Sequence, residues 1–226
     1  MMQSSYGKGF GVWRRRMNLS RVATMSVFCL AALVIIVGCG SVRYPKYYTL
    51  NLPAPPDPPP VENMHAAVAI RELSAPAYLR QGAIVYKPSP EQIDFYAYHR
   101  WAINPREFVT SSVIERLRAS GDFARVQPYD GRPDTQYVLG GRLEKLEEID
   151  YAGGVKVEVA ISAQLTNLAT GLTVWTSAAS EVGDINKRDV PAVVSEMNRA
   201  MEGAITKLMS SMPPDVASGP TAAARN

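Results

Sequence analysis

Cys39 is the residue whose type and position point most directly to chemistry. It follows Ile36-Val37-Gly38, where the apolar run Val22 to Val37 ends. A thiol at the end of an exported leader can take an acyl chain. Cleavage before it releases an amino group that takes another. Other reactive residue types are poorly grouped. His65 and His99 are far apart and lack carboxylates at metal-ligand spacing. There is no Gly-x-x-x-x-Gly-Lys-Ser/Thr loop for a nucleotide phosphate and no Gly-x-Ser-x-Gly elbow for a nucleophilic serine. Gly140-Gly141 sits inside a strand pattern, so it reads as a bulge rather than a dinucleotide loop. Glu147, Glu148 and Asp150 could do acid–base work. They stand before a Gly-Gly turn, where a solvated acidic strand tip is the ordinary explanation.

The segment ahead of Cys39 explains why that thiol matters. Arg14, Arg15, Arg16 and Arg21 precede or open the apolar run, and small residues close it. This is the layout of a secretory signal peptide. A cysteine after Val-Gly at that boundary resembles a bacterial lipobox. The run has about 16 residues, short of the ~20 that a helix needs to span a bilayer. A core helix would not follow three arginines and end in Gly-Cys-Gly-Ser. Translation could start at Met1, Met17 or Met25. Expected boundaries are a signal peptide at 1–38, a lipidated stalk at 39–46, a domain at 47–212 with a proline-rich spacer at 53–60, and a disordered tail at 213–226.

Removing the leader changes the charge. The whole chain of 226 residues carries +3, but residues 1–38 hold five basic residues and no acidic ones. The remainder has 19 basic and 21 acidic side chains. The basic isoelectric point belongs to the leader and gives no reason to expect nucleic acid as a partner. Cys29 leaves with the leader and Cys39 is consumed by acylation, so no disulfide and no cysteine metal site is expected.

The elements beyond the leader are legible from period and caps. Tyr47 to Leu52 reads as a strand. The prolines between Leu52 and Pro60 then impose a semi-rigid polyproline II spacer. Ala66 to Leu73 alternates as a strand, and Ser74 to Leu79 reads as a loop. Ala83 to Lys87 and Ile93 to Tyr98 form a hairpin rich in aromatics, the first strand stopping at Pro88. Asn104, Pro105 and Glu107 open a helix with the apolar stripe Phe108, Val109, Val113, Ile114 and Leu117, and Gly121 ends it. A short strand at Phe123 to Val126 and a polar loop follow. Three strands then make an antiparallel meander: Tyr137 to Leu146, Val155 to Ile161, and Leu172 to Val182. A last helix starts at Val190 behind the cap Asp189. Its core stripe is Val194, Met197, Met201, Ala204, Ile205 and Leu208. The expected fold is α+β: a single domain whose mainly antiparallel sheet carries two helices packed on one face.

With no catalytic grouping in view, the aromatics are the candidate binding residues. Tyr47, Tyr48, Tyr78, Tyr86 and Trp101 are the candidates for contact with a partner, because such rings bury area while keeping a polar atom. Tyr96 and Tyr98 belong to the same crowd, about half of which should be core.

An ordered set of features carries a resemblance. It comprises Cys39, Tyr47-Tyr48-Thr49-Leu50, Pro76-Ala77-Tyr78-Leu79, Ile84-Val85-Tyr86, and Trp101 just before the first helix. In this order the chain resembles the ABC-type transport auxiliary lipoproteins, including the lipoprotein partner of paraquat-inducible-type MCE systems. The resemblance implies a non-enzymatic protein of the periplasm with no cofactor beyond the acyl chains on Cys39. It implies a membrane contact through the lipid anchor, an MCE-domain protein as partner, and a homo-oligomer as one way to match a cyclic partner. Gly40 after the cysteine, in place of Asp, implies the outer membrane. Other classes with the same anchor are assembly factors for another envelope machine, such as a secretin pilot or a cell-wall synthase activator, and an envelope hydrolase.

Overall fold

In the computed structural model, the described residues are 43–57, 66–131, 134–151 and 153–213. The leader, Cys39, His65, the later prolines of the spacer and the tail beyond Pro213 lie outside them. The chain divides into two compact units at Arg43/Tyr44, and the described strands and helices all belong to the second.

Eight strands and two α-helices make up this unit. In order they are β1 (Lys46–Tyr48), β2 (Ala67–Ile70), β3 (Ala83–Ser89), β4 (Gln92–Trp101), α1 (Pro105–Ser120), β5 (Arg125–Pro128), β6 (Tyr137–Ile149), β7 (Lys156–Asn167), β8 (Thr173–Asp184) and α2 (Val190–Ser210). Residues Ser74 to Leu79 are not a plain loop, since Ala77–Gln81 forms a 3-10 helix. The fold is a single-domain α+β arrangement, as expected. The long pairings β3–β4, β6–β7 and β7–β8 are antiparallel. Four short ones, β1–β4, β2–β5, β2–β6 and β3–β6, are parallel.

β6 is the spine. Along one edge it pairs with β7 over its whole length. Along the other it takes β2 at Tyr137–Leu139, a bridge from Ser74 at Arg142, and β3 at Glu148–Ile149. The Ser74 N–H donates to the Gly141 carbonyl, and the Leu143 N–H donates to the Ser74 carbonyl. Gly141 is therefore not a bulge. It pairs in register with Ala163. A Cβ there would lie 2.6 Å from the Ser162 carbonyl oxygen and 3.3 Å from Leu73 Cγ. The glycine is required chiefly by the close approach of the Ser162 carbonyl of β7, with Leu73 of the crossing segment adding a tighter-than-usual contact. The bulge falls instead between Leu143 and Lys145, where Glu144 is the extra residue. It places both Leu143 and Leu146 in the core, although they are three positions apart.

Both helices cap as the sequence suggests. The Asn104 side chain accepts from the Arg106 N–H, and Gly121 takes a left-handed conformation (φ 71°) after α1. The Asp189 side chain accepts from the Ala192 N–H at the start of α2. Val194, Met197, Met201, Ala204, Ile205 and Leu208 are all buried, against Val157, Val159, Ile161 and Leu165 of β7 in one core. Each such side chain contributes about 1.5–3 kcal/mol of burial. Arg116 of α1 and Glu202 of α2 pair at 3.6 Å, which joins the two helices on the same side of the sheet. Thr110 ties α1 to the β2–β3 crossover: its hydroxyl accepts from the Leu73 N–H (3.0 Å) and donates to the Arg106 carbonyl (2.7 Å).

Several strand boundaries differ from the sequence reading, β5 lying at Arg125–Pro128 and β6 and β7 running on to Ile149 and Asn167, and three further differences bear on packing. β1 is only three residues long, and Leu50 turns into the core. The proline run begins along the helices rather than as a free spacer, with Pro55 and Pro56 beside Arg116, Ala119 and Met209. β3 passes through Pro88, because Pro88 lies beside the turn where the hairpin register shifts and its missing N–H is not required.

The close approach at Gly141 yields a prediction. Gly141→Ala should destabilise the domain by about 1–3 kcal/mol, the usual range for overpacking. Gly140→Ala, where a Cβ meets nothing within 4 Å, should change it far less. Chemical denaturation of the two variants measures the difference.

Candidate docking surface

The candidate residues gather around the β3–β4 hairpin and β1, but they do not share one environment. Trp101 ends β4 and is 6% exposed, inside the core. Tyr47 on β1 is 64% exposed. Tyr48, Tyr78 and Tyr86 are half-buried, and each is engaged by its surroundings. Along β4 and in the loop after it the structure adds residues that the sequence reading did not place among the contact candidates. Tyr98 and Phe95 on β4 are 44% and 36% exposed, and Ile93 and Ile103 are also open. Tyr47 lies next to Arg100 in the β1–β4 register. This edge is an aromatic and aliphatic surface with basic residues Lys46 and Arg100 on it.

Behind this edge lies a chain of polar and ring contacts. Tyr86 and Tyr96 rings sit 4.9 Å apart. Tyr96 stands edge-on to His99 at 5.6 Å, and His99 lies 5.6 Å from Tyr48. Tyr48 Oη and His99 Nδ1 share a hydrogen bond of 2.9 Å. Burial, then the nearby Lys46 charge, pulls the His99 pKa down and favours the neutral ring. At the inner end the Tyr96 hydroxyl donates to Glu148 Oε2 at 2.7 Å.

Glu147 and Glu148 correct the sequence reading. They are not a solvated tip, because each is only 2% exposed within β6. Successive strand residues point to opposite faces. Glu148 meets Tyr96, while Glu147 meets the Tyr78 hydroxyl at 3.3 Å and Lys87 Nζ at 3.9 Å. Burial raises the pKa of both carboxyls, opposed for Glu147 by the Lys87 charge and for Glu148 by the Tyr96 hydrogen bond. The tyrosines shift too. Burial and the Glu147 charge push Tyr78 up to about 12, and burial with the Glu148 hydrogen bond pushes Tyr96 higher still. The signal for this was available. A two-residue turn at Gly153-Gly154 sets Glu148 opposite Val159, and the observed register sets it opposite Val157, both on the apolar face.

No group of three or more metal-ligating side chains occurs among the described residues. The carboxylates are held by tyrosine and lysine inside the sheet, and the exposed groups on the outer edge are suited to contact.

The profile of the ABC-type transport auxiliary lipoprotein component matches residues 48–208. The chain belongs to that family. The domain of this auxiliary lipoprotein is similar to protein XCC0632 from Xanthomonas campestris. That likeness has 19% identity and a TM-score of 0.62 over 73% of this chain and 92% of the other. An uncharacterised protein of known structure is similar at 15% identity and a TM-score of 0.59, over 75% and 99% of the two chains. At these identities the likeness is one of fold. No curated protein matches the auxiliary lipoprotein in sequence. Among its described residues no helix is long and apolar enough to cross a membrane.

The buried carboxyls set a pH dependence. A carboxyl whose folded pKa lies above its ordinary 4.5 binds its proton more tightly in the folded state. That stabilisation is fully present below the unfolded value and is lost as pH rises through the folded one. Thermal stability should therefore fall as pH is raised from about 4.5. Glu148→Gln keeps an acceptor for Tyr96 and should flatten that fall. Melting curves by circular dichroism between pH 4 and 8 measure it.

Proposed function

We propose that this auxiliary lipoprotein serves an MCE-type lipid-transport system and performs no catalysis. It is anchored in the outer membrane, facing the periplasm, through acyl chains on Cys39. Its exposed aromatic edge docks an MCE-domain protein, and the ATPase and permease of the system are separate chains. Docking of this kind holds the transport conduit at the membrane.

The observation that carries this reading is the split among the aromatic residues. Tyr47, Tyr98 and Phe95 stay open on the β1–β4 edge, while Tyr96, Tyr86 and Tyr48 are locked behind it. Large rings held exposed on a rigid edge are what an interface uses as anchors. The edge also begins seven residues after Cys39, at Lys46. An extended chain covers at most about 3.6 Å per residue, so the start of the edge stays within roughly 25 Å of an acylated Cys39.

The test is affinity purification of the full-length tagged protein from gently solubilised envelopes. An MCE-domain protein with its permease and ATPase should accompany it. Tyr47→Ala combined with Tyr98→Ala should cut that recovery at least tenfold while leaving the melting temperature unchanged. Trp101→Ala should instead destabilise the domain by about 3–5 kcal/mol, as large-to-small core changes do. Recovery of a secretin subunit or a cell-wall synthase without MCE proteins would move the assignment to an assembly factor. Normal complementation of a deletion strain by Cys39→Ser would remove the anchor from the mechanism.

A further inference from the structure

The face of the sheet that points away from the helices carries a cavity of its own. Along β6, Leu139 and Leu143 point into the core, so Gly140 and Arg142 point the other way. On β7, Ile161, Ala163 and Leu165 are buried, which turns Ser162 and Gln164 outward. The register aligns Gly140, Gln164 and Thr176 directly across β6, β7 and β8. Beside this row runs the segment between β2 and β3. Its Arg71 N–H donates to the Leu139 carbonyl and its Ser74 N–H to the Gly141 carbonyl. Together they bound a cavity of about 360 Å³, the size of a small-ligand pocket.

Gly140 keeps the floor of this cavity open. Packing requires a glycine at the neighbouring Gly141, but not here: a Cβ on Gly140 would meet nothing within 4 Å, and its φ is not positive. Any larger side chain would stand in the cavity itself. The glycine pair is thus divided in role, one member serving the fold and the other leaving space above the sheet.

Two arginines line that space. Arg71 lies with its guanidinium 4.8 Å from the centre of the Tyr129 ring and forms no ion pair among the described residues. Arg142 donates through Nε to Glu144 Oε2 at 2.9 Å, and among the described residues its Nη groups have no hydrogen bond. The acids nearby are already engaged. Glu144 also accepts from Ser162 Oγ at 2.7 Å, and Glu72, the one acid on the wall, pairs with Arg106 at 3.3 Å. Gln164 adds an amide donor. Guanidinium forks match the paired oxygens of carboxylates and phosphates. A planar carboxylate is satisfied by one fork, whereas two forks from different segments and an amide suit a tetrahedral group with oxygens in several directions. We propose that this cavity binds a phosphate group, held between Arg71 and Arg142 over the Gly140 floor, with the remainder of a phosphate ester in the space beside it. The site lies on β6, β7 and β8 and not on the β1–β4 edge, so the proposal does not depend on the nature of the transport partner.

Isothermal titration calorimetry of the full-length protein in a nonionic detergent tests it. The titrants are glycerophosphate, the soluble short-chain lipid dihexanoylphosphatidylglycerol, and acetate. At least one of the two phosphate compounds should bind saturably, and acetate at least tenfold more weakly. Arg71→Gln, Arg142→Gln and Gly140→Val should each weaken that binding at least tenfold. Gly140→Val should do so with the melting temperature unchanged, because its side chain fills open space rather than displacing atoms. Arg199→Gln removes the same charge from the exposed side of α2 and should leave the affinity as it was. The two phosphate compounds separate the sources of the group. Binding of the short-chain lipid at least tenfold tighter than glycerophosphate assigns the site to a lipid headgroup, and glycerophosphate binding as tightly or more tightly assigns it to a free phosphate ester. Three results would overturn the proposal: no binding of either phosphate compound, acetate binding as tightly as they do, or an affinity that Gly140→Val leaves unaltered. Equal weakening by Arg199→Gln and Arg71→Gln would also overturn it, since overall charge and not this cavity would then set the affinity.

Discussion

Everything in this domain depends on one strand being filled on both edges. β6 holds β7 along one side and β2, Ser74 and β3 in succession along the other. Two local features of the strand make that possible. Gly141 leaves room for the Ser162 carbonyl of β7, where a Cβ would collide, and for Leu73 of the crossing segment beside it. The bulge at Glu144 then rotates the rest of the strand, so that Leu146 stays in the core after Leu143. Without the bulge, strict alternation would turn Leu146 away from α2 and bring Glu147 towards it.

The rotated end of the strand carries two buried glutamates, one on each face. Carboxylates leave water reluctantly, and each here is compensated by a neighbour. Glu147 has Tyr78 and Lys87, and Glu148 has Tyr96. The compensation also reaches the outer edge. From Glu148 the contacts run through Tyr96 and His99 to Tyr48, joining the central strand to the outermost one. β1 is only three residues long and would be weakly held by its backbone bonds alone. The buried acids thus hold the edge on which Tyr47 and Tyr98 are displayed.

The parts of this arrangement that were legible in the sequence are those set by local physics. Asn104, Gly121 and Asp189 mark helix ends because orphan backbone groups need partners within a few residues. Val157, Val159 and Ile161 mark a strand face because the pleat has period two. The meander follows from turns at Gly153 and Gly171, both at positive φ. The parts that were not legible depend on the crossing of distant segments. Nothing near Gly141 signals that Leu73 will lie over it. Nothing in Tyr47-Tyr48 signals a parallel pairing with residues more than 50 positions away. The carboxylates were misread because proximity to a Gly-Gly turn was weighed above the register that the turn itself implies. Among the aromatics, ring type alone could not separate Trp101, which fills the core, from Tyr98, which does not.

Two of the three terminal strands of the described sheet, β1 and β8, have opposite characters, and this bears on how the protein could work. One terminal strand, β1, is short and tied down by side chains, and it carries large exposed rings. The other, β8, is long, carries small residues and is broken by a bulge at Val174. From β1 the pairing runs through β4, β3, β6 and β7 to β8, so the two lie at opposite ends. The rings are therefore displayed where backbone pairing is least extensive, and the contacts from Glu148 through Tyr96 and His99 to Tyr48 are what hold that end of the sheet rigid enough to serve as a contact surface.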